Sequence, residues 1–189
     1  GFFGSSPLTD HQKSSLRQVV ADFGQPDIDE LAGLEATTRH DVKAVEYYVR
    51  RRLSDLGLDA IAELTHFACT SEDINNLSYA LTIHAAMRDV WLPKFRAVIE
   101  ALRARALELR DDGMLAHTHG QPATPTTMGK ELAVFVYRLE RILKQLEATE
   151  YLGKFSGATG TFAAHQAADA SRNWPEIAHE FVTSLGLGF

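Results

Sequence analysis

Between residues 71 and 110, apolar side chains recur at intervals of seven: Leu81, Phe95, Leu102 and Leu109 in one series, Ala85, Leu92, Ile99 and Ala106 in another. Interleaved, the two series make an a/d stripe, the pattern of long helices packed side by side. Arg88 interrupts it once. A helix over that stretch would run roughly 60 Å at 1.5 Å per residue. Pro93 predicts a kink or a split in it, because the amide that would bond to residue 89 is missing. A second stripe, Leu132, Phe135, Leu139, Ile142 and Leu146, is spaced 3, 4, 3, 4 and predicts another long helix. Two such stripes cannot bury each other completely, since a bundle needs at least three or four helices around its core. Helices of other subunits, helices outside this sequence, or both are expected to complete it.

The rest of the chain also reads as helical. Residues 10–23 carry Leu16, Val19, Val20 and Phe23 on one face, and Gly24-Gln25-Pro26 punctuates them. A helix from Asp41 to about Gly57 places Val42, Val45, Val49 and Leu53 together, and a brief one is expected over 59–68. Thr70-Ser71-Glu72-Asp73 reads as a helix start, with Thr70 accepting from the backbone and Asp73 returning the bond. Residues 153–160 form a glycine-rich break without the lysine-serine/threonine ending of a phosphate loop, and a last helix covers about 174–185. No segment shows strand alternation, so the expected class is all-α, with a soft boundary near residue 69.

Hydrophobic residues make up 45% of the 189 and charged residues 23%, the balance of a soluble globular protein. A net charge of −6 argues against nucleic acid or an anionic membrane as partner, and no apolar run approaches a membrane span. The single cysteine, Cys69, forms no intrachain disulfide, which suggests a cytoplasmic setting. Gly1-Phe2-Phe3-Gly4 is too short and uncharged for a signal peptide and reads as added residues or an internal cut.

Chemistry concentrates in His117-Thr118-His119-Gly120-Gln121-Pro122-Ala123-Thr124-Pro125. Gly120, Pro122 and Pro125 exclude a regular helix there, which leaves a stiffened loop holding imidazole beside hydroxyl and amide groups. Read alone, it is either a polar inter-helix turn or a proton-transfer site. Two helix starts, at Arg39-His40-Asp41 and at Thr70-Ser71, present unpaired backbone amides to an anion, with Arg39 as charge partner. Each also has a plain reading: Asp41 as a first-turn acid, Thr70 as an N-cap, His40 as a surface residue. Metal binding is not expected, because His117 and His119 lack a zinc spacing and His66, His84, His165 and His179 read as structural or solvated.

Three strings together resemble the adenylosuccinate lyase family of the fumarase/aspartase superfamily. They are Thr37-Thr38-Arg39-His40-Asp41-Val42-Lys43-Ala44-Val45-Glu46-Tyr47, His66-Phe67-Ala68-Cys69-Thr70-Ser71-Glu72-Asp73-Ile74-Asn75-Asn76, and Thr118 through Pro125. The likeness covers roughly residues 35–187. It implies an all-α long-helix bundle, present here in part: residues 1–69 in a small N-terminal helical domain and 70–189 in the first half of the bundle. It also implies a cofactor-free β-elimination that releases fumarate from adenylosuccinate, giving AMP, and from a succinylated carboxamide ribotide of purine synthesis. In that resemblance His119 protonates the leaving nitrogen, Thr118 is its hydroxyl neighbour, and Arg39, His40, Asp41, Thr70 and Ser71 line the nucleotide and succinyl sites, with Gln121 a further donor. The resemblance further implies that four subunits pool their long helices and that each active site draws on three chains.

The chain departs from the family in several places. No segment matches the loop Gly-Ser-Ser-x-Met-Pro-x-Lys-x-Asn that carries the family's serine base, so no turnover is expected of these 189 residues alone. The phosphate-gripping Arg-Tyr pair is absent ahead of residue 35, His117 stands where relatives often carry arginine, and Arg39 where some carry asparagine. A sister lyase acting on argininosuccinate or another fumarate-yielding substrate and a non-catalytic helical assembly module are the two other readings.

Overall fold

The computed structural model describes residues 6–189, so the reading of Gly1 to Gly4 lies outside the described residues. The chain divides into two compact units. One holds the described residues up to Ser78, with Gly153–Ser184 and Phe189; the other holds Tyr79–Leu152 and Leu185–Gly188.

In the first unit, α1 (Asp10–Ala21) begins at a capping box in which Thr9 and Gln12 bond reciprocally. Helix α2 (Gln25–Thr38) is an element that the sequence reading passed over. Gly24-Gln25-Pro26 is not a break but a helix start: Pro26 sits in the first turn, where no amide is needed, and Asp27 accepts from the Gly24 N–H at 2.9 Å. Helix α3 (Asp41–Asp55) packs against α2 and against a 3₁₀ helix, Asp59–His66. Contacts on both sides explain why Ala44 and Tyr48 are buried along with Val42 and Leu53, whereas Val45, expected on the inner face, is exposed. The Tyr48 hydroxyl donates to Asp27 Oδ1 at 2.7 Å, and Arg52 pairs with Asp27 and Glu30, tying α3 to α2. Two more helices complete the unit, α7 (Ala163–Ala168) and α8 (Trp174–Ser184), with Trp174, Ala178 and Val182 buried.

Helix α4 (Ser71–Ala86) leads into a π-helical turn, Met87–Trp91, and then into α5 (Leu92–Glu108). Pro93 therefore neither breaks nor sharply splits the run. One extra residue in the turn lets Leu92 N–H reach Met87 O and places Pro93 in a first turn, where its missing donor is harmless. In the second unit α5 packs on α6 (Met128–Glu147), burying Ile99, Ala106 and Val136. The α5 stripe is largely as expected, although Ala85 in α4 is exposed. The α6 stripe is turned: Gly129, Leu132, Val136, Leu139, Leu143 and Leu146 face inward, and Phe135 and Ile142 lie outward, 55% and 47% exposed.

Gly129 sets the closeness of that packing. A Cβ there would lie 2.3 Å from Ala106 O and 2.6 Å from the Arg110 Cα. The Gly129 N–H donates to Leu109 O at 3.0 Å, and Met128 N–H to Asp112 O at 3.0 Å.

The expectation of no strand is corrected. Gly113–Thr118 (β1) and Gln121–Thr127 (β2) form an antiparallel hairpin between α5 and α6, within an otherwise helical fold. Pro122 and Pro125 are tolerated because a two-stranded ribbon consists of edges, where a missing amide need not interrupt a ladder.

Among the described residues His165 is the most buried imidazole, 2% exposed, ringed by Phe155, Phe162 and Trp174 with centroids 5.1–5.8 Å away, and neither ring nitrogen has a hydrogen-bond partner among them. Burial pushes its pKa below the ordinary 6.5, against a weaker opposing pull from Asp73. The unfolded chain therefore takes up this proton first, and the neutral buried ring stabilises the fold above pH 6.5 and progressively less below it. Urea unfolding followed by tryptophan fluorescence should show stability falling from pH 7.5 to 5.5. His165→Phe should flatten that slope; an unchanged slope would place the titration elsewhere.

Candidate active site

Two groups of candidate side chains take shape, one in each unit. In the first, Arg39 ends α2 in the left-handed conformation at φ 54°, which turns the chain sharply into His40. His40 caps α3, its Nδ1 accepting the Lys43 N–H at 3.4 Å. Nε2 faces Ser71 Oγ at 3.3 Å. Asp41 Oδ1 lies 3.2 Å from Nδ1 and accepts from the Val42 N–H at 2.7 Å, the behaviour of a first-turn acid. Arg39 is exposed, and its guanidinium has no partner among the described residues. The start of α3 and the start of α4 thus meet through His40 and Ser71, residues 31 apart in sequence.

The expected cap of α4 is half present. Asp73 accepts from the Thr70 N–H at 2.9 Å, whereas the Thr70 hydroxyl takes no part. Asp73 does more than cap. It is fully buried and also receives the Lys154 ammonium at 2.8 Å, the Ser156 N–H at 3.0 Å and the Gly157 N–H at 3.1 Å. Burial by itself would raise this carboxyl, but Lys154 and the Thr70 and Ser156 amides together outweigh it and hold the pKa below the ordinary 3.8. Sequence reasoning assigned no role to Lys154, whose partner lies 81 residues earlier. A second unforeseen cluster is Glu46, buried between Lys43 at 2.7 Å and His66 at 2.7 Å, which makes His66 a structural residue. Burial pushes the Cys69 thiol up, with Asp73 adding to the effect, which disfavours a thiolate nucleophile.

The second group sits at the tip of the hairpin. Thr118 pairs with Gln121 across a two-residue turn made of His119 and Gly120. Both turn residues have positive φ, 50° and 78°, the type I′ pattern that matches the twist of a ribbon. His119 is thus one of four non-glycine residues at positive φ among the described residues, with Arg39, Ala68 and Phe162. Such backbone positions concentrate at functional sites. Thr118, His119 and Gln121 are exposed, and the His119 ring has no hydrogen-bond partner among the described residues. A side chain so placed is free to meet a ligand, and imidazole can deliver a proton to it.

Among the described residues, no three His, Cys, Asp or Glu side chains converge on a metal position. No helix among them is long and apolar enough to cross a membrane.

The sequence matches the lyase family over residues 8–188. The chain belongs to that family. Among curated relatives of this lyase family member, the adenylosuccinate lyase of Escherichia coli K12 is 47% identical over 173 residues, and that of Haemophilus influenzae Rd 44% over 182. Those stretches are 91% and 96% of this chain but 38% and 40% of the relatives, so the chain spans about two fifths of their length. The fold resembles a fumarate lyase from Mesorhizobium sp. BNC1, with TM-score 0.77 at 21% identity over 96% of this chain and 41% of that one. It also resembles the β-carboxy-cis,cis-muconate cycloisomerase of Acinetobacter calcoaceticus sp. ADP1, with TM-score 0.75 at 22% identity over 93% and 39%. Both likenesses show the fold alone: this chain is folded like part of each of those chains.

Proposed function

We propose that this chain is part of an adenylosuccinate lyase, a carbon–nitrogen lyase that releases fumarate from adenylosuccinate and from the related carboxamide ribotide. The observation that carries the reading is His119, exposed and without a partner among the described residues, at the apex of a type I′ turn. The names and identities of the curated relatives support the substrate. In this reading a base removes the proton beside a succinyl carboxylate, the carbon–nitrogen bond breaks, and His119 hands its proton to the departing nitrogen of AMP. Thr118 and Gln121 border the acid across the hairpin tip. Arg39 supplies positive charge to the nucleotide or succinyl group, and His40, Asp41, Thr70 and Ser71 contribute contacts to it from the two helix starts. Residues 1–69 belong to the N-terminal helical domain of the whole enzyme, and 70–189 to the first half of its long-helix domain.

The assembly is a homotetramer in the cytoplasm, with active sites shared between chains. The apolar residues that α5 and α6 leave outward, Val98 at 52%, Leu107 at 61%, Phe135 at 55% and Ile142 at 47% exposure, favour such association. Phe135→Glu with Ile142→Glu should shift the oligomer toward monomers in analytical ultracentrifugation; an unaltered sedimentation profile would place the interface elsewhere.

The deciding experiment is an absorbance assay of the complete enzyme with adenylosuccinate and, in parallel, argininosuccinate. Formation of AMP and fumarate supports the reading, and cleavage of argininosuccinate alone overturns it. The 189-residue chain by itself should give no turnover, because the family's serine base is not among its residues.

A further inference from the structure

The first turns of α4 carry two kinds of residue. Thr70 and Ser71 stand at its outer end, partly exposed, while Asp73 and Asn76 turn inward onto a loop from the far part of the chain. Asn76 brackets the Lys154 peptide from both sides, its Oδ1 accepting the Lys154 N–H at 2.8 Å and its Nδ2 donating to the Lys154 carbonyl at 3.1 Å. Asp73 Oδ1 receives the Lys154 ammonium and the Ser156 N–H; Asp73 Oδ2 receives the Gly157 N–H and, on the other side, the Thr70 N–H. Lys154 also donates to Gly157 O at 3.0 Å, and Gly157, at φ 82°, adopts the conformation that turns its own amide toward Asp73.

Two sets of hydrogen bonds meet at the start of α4, joined only by the covalent backbone between Thr70 and Ser71. One runs from the Lys154 ammonium to Asp73 and from Asp73 to the Thr70 peptide; the other runs from the adjoining Ser71 hydroxyl to His40 Nε2 at 3.3 Å. A buried carboxylate that loses its ammonium partner moves toward other donors or takes up a proton, and either response shifts the Thr70 peptide. Fully satisfied buried networks rigidify what they touch. The Thr-Ser-Glu-Asp-Ile-Asn-Asn string therefore divides by role, with its first two residues facing outward and Asp73 and Asn76 anchoring them.

We infer that Asp73 and Lys154 are positioning residues for substrate binding, locking the 153–157 loop against the first turn of α4 and so holding Ser71 in register with His40. The inference rests on the proposed role of Thr70 and Ser71 as substrate contacts. It assigns Lys154 no contact with substrate and no proton transfer.

The test uses the complete enzyme with Lys154→Met, Lys154→Arg and Asn76→Ala, each checked for folding by circular dichroism. Lys154→Met should raise KM for adenylosuccinate by about tenfold to a hundredfold while kcat stays within about threefold, the mark of binding geometry lost rather than chemistry. Lys154→Arg, which keeps the charge beside Asp73, should recover most of the loss. The His40 Nε2 resonance in ¹⁵N-edited NMR should shift in Lys154→Met and return toward its original position in Lys154→Arg. Should Lys154→Met fail to fold, Asn76→Ala, which releases the loop with the ion pair intact, should raise KM severalfold by itself. An unchanged KM with a lowered melting temperature, or an unmoved His40 resonance, would reduce the pair to a structural clamp. Failure of the lyase reading is seen separately, as absent turnover in the unsubstituted enzyme.

Discussion

Replacing His119 with asparagine is expected to lower kcat for adenylosuccinate by about 10²- to 10⁴-fold in the complete enzyme, the usual contribution of a positioned general acid. KM should change little, since the proton is delivered only as the carbon–nitrogen bond breaks. Asparagine is the informative substitution because of the backbone. At φ 50° His119 occupies the left-handed region, where alanine costs roughly 1–2 kcal/mol and asparagine is accommodated. His119→Ala would disturb the turn and the chemistry together; His119→Asn disturbs the chemistry alone. Steady-state absorbance kinetics decide the matter, and a kcat within threefold of the unsubstituted enzyme would remove His119 from the role of acid.

Gly129→Ala carries the largest expected effect on stability, and its sign opposes intrinsic propensity. Alanine is favoured over glycine within a helix by about 1 kcal/mol. Here its Cβ would meet Ala106 O at 2.3 Å and the backbone of Arg110 at 2.6 Å, atoms that no side-chain rotation can clear. Separating α5 from α6 enough to admit it should cost about 2 kcal/mol or more, net of the gain in propensity. For a chain of this size that corresponds to a fall in melting temperature on the order of 5 °C. Differential scanning calorimetry of the two proteins would measure it. A melting temperature equal to or above that of the original would show that the helices part freely at this point.

The helices that appear plainly in the sequence are those whose ends and faces are encoded within a few residues. Thr9 and Gln12 close a capping box three residues apart, and the α5 stripe repeats every seven. Where the reading erred, a second determinant acted. Gly24-Gln25-Pro26 has the composition of a break, but the carboxyl of Asp27 and the first-turn position of Pro26 make it a start. Val45 follows the period of α3, yet α3 packs on two sides and buries Ala44 and Tyr48 in addition to Val42 and Leu53. Phe135 and Ile142 fit a 3, 4 spacing as well as Leu132, Val136 and Leu143 do, and periodicity alone does not choose between adjoining stripes. Gly129 chooses, because the closest approach of the two backbones must occur where no Cβ stands.

The candidate site divides in the same way. Short strings of residues specified its chemistry: an imidazole, a hydroxyl and an amide around Gly120, and capping groups at two helix starts, all dictated by backbone angles and nearest neighbours. They could not specify the hairpin, whose strand pairing joins Gly113 to Thr127 across two prolines that local propensity assigns to a loop. Nor could they specify the meeting of His40 with Ser71 or of Asp73 with Lys154, 31 and 81 residues apart. Partners at that separation are selected by which arrangement leaves the fewest buried charges and amides unsatisfied, and that sum is taken over the folded chain as a whole.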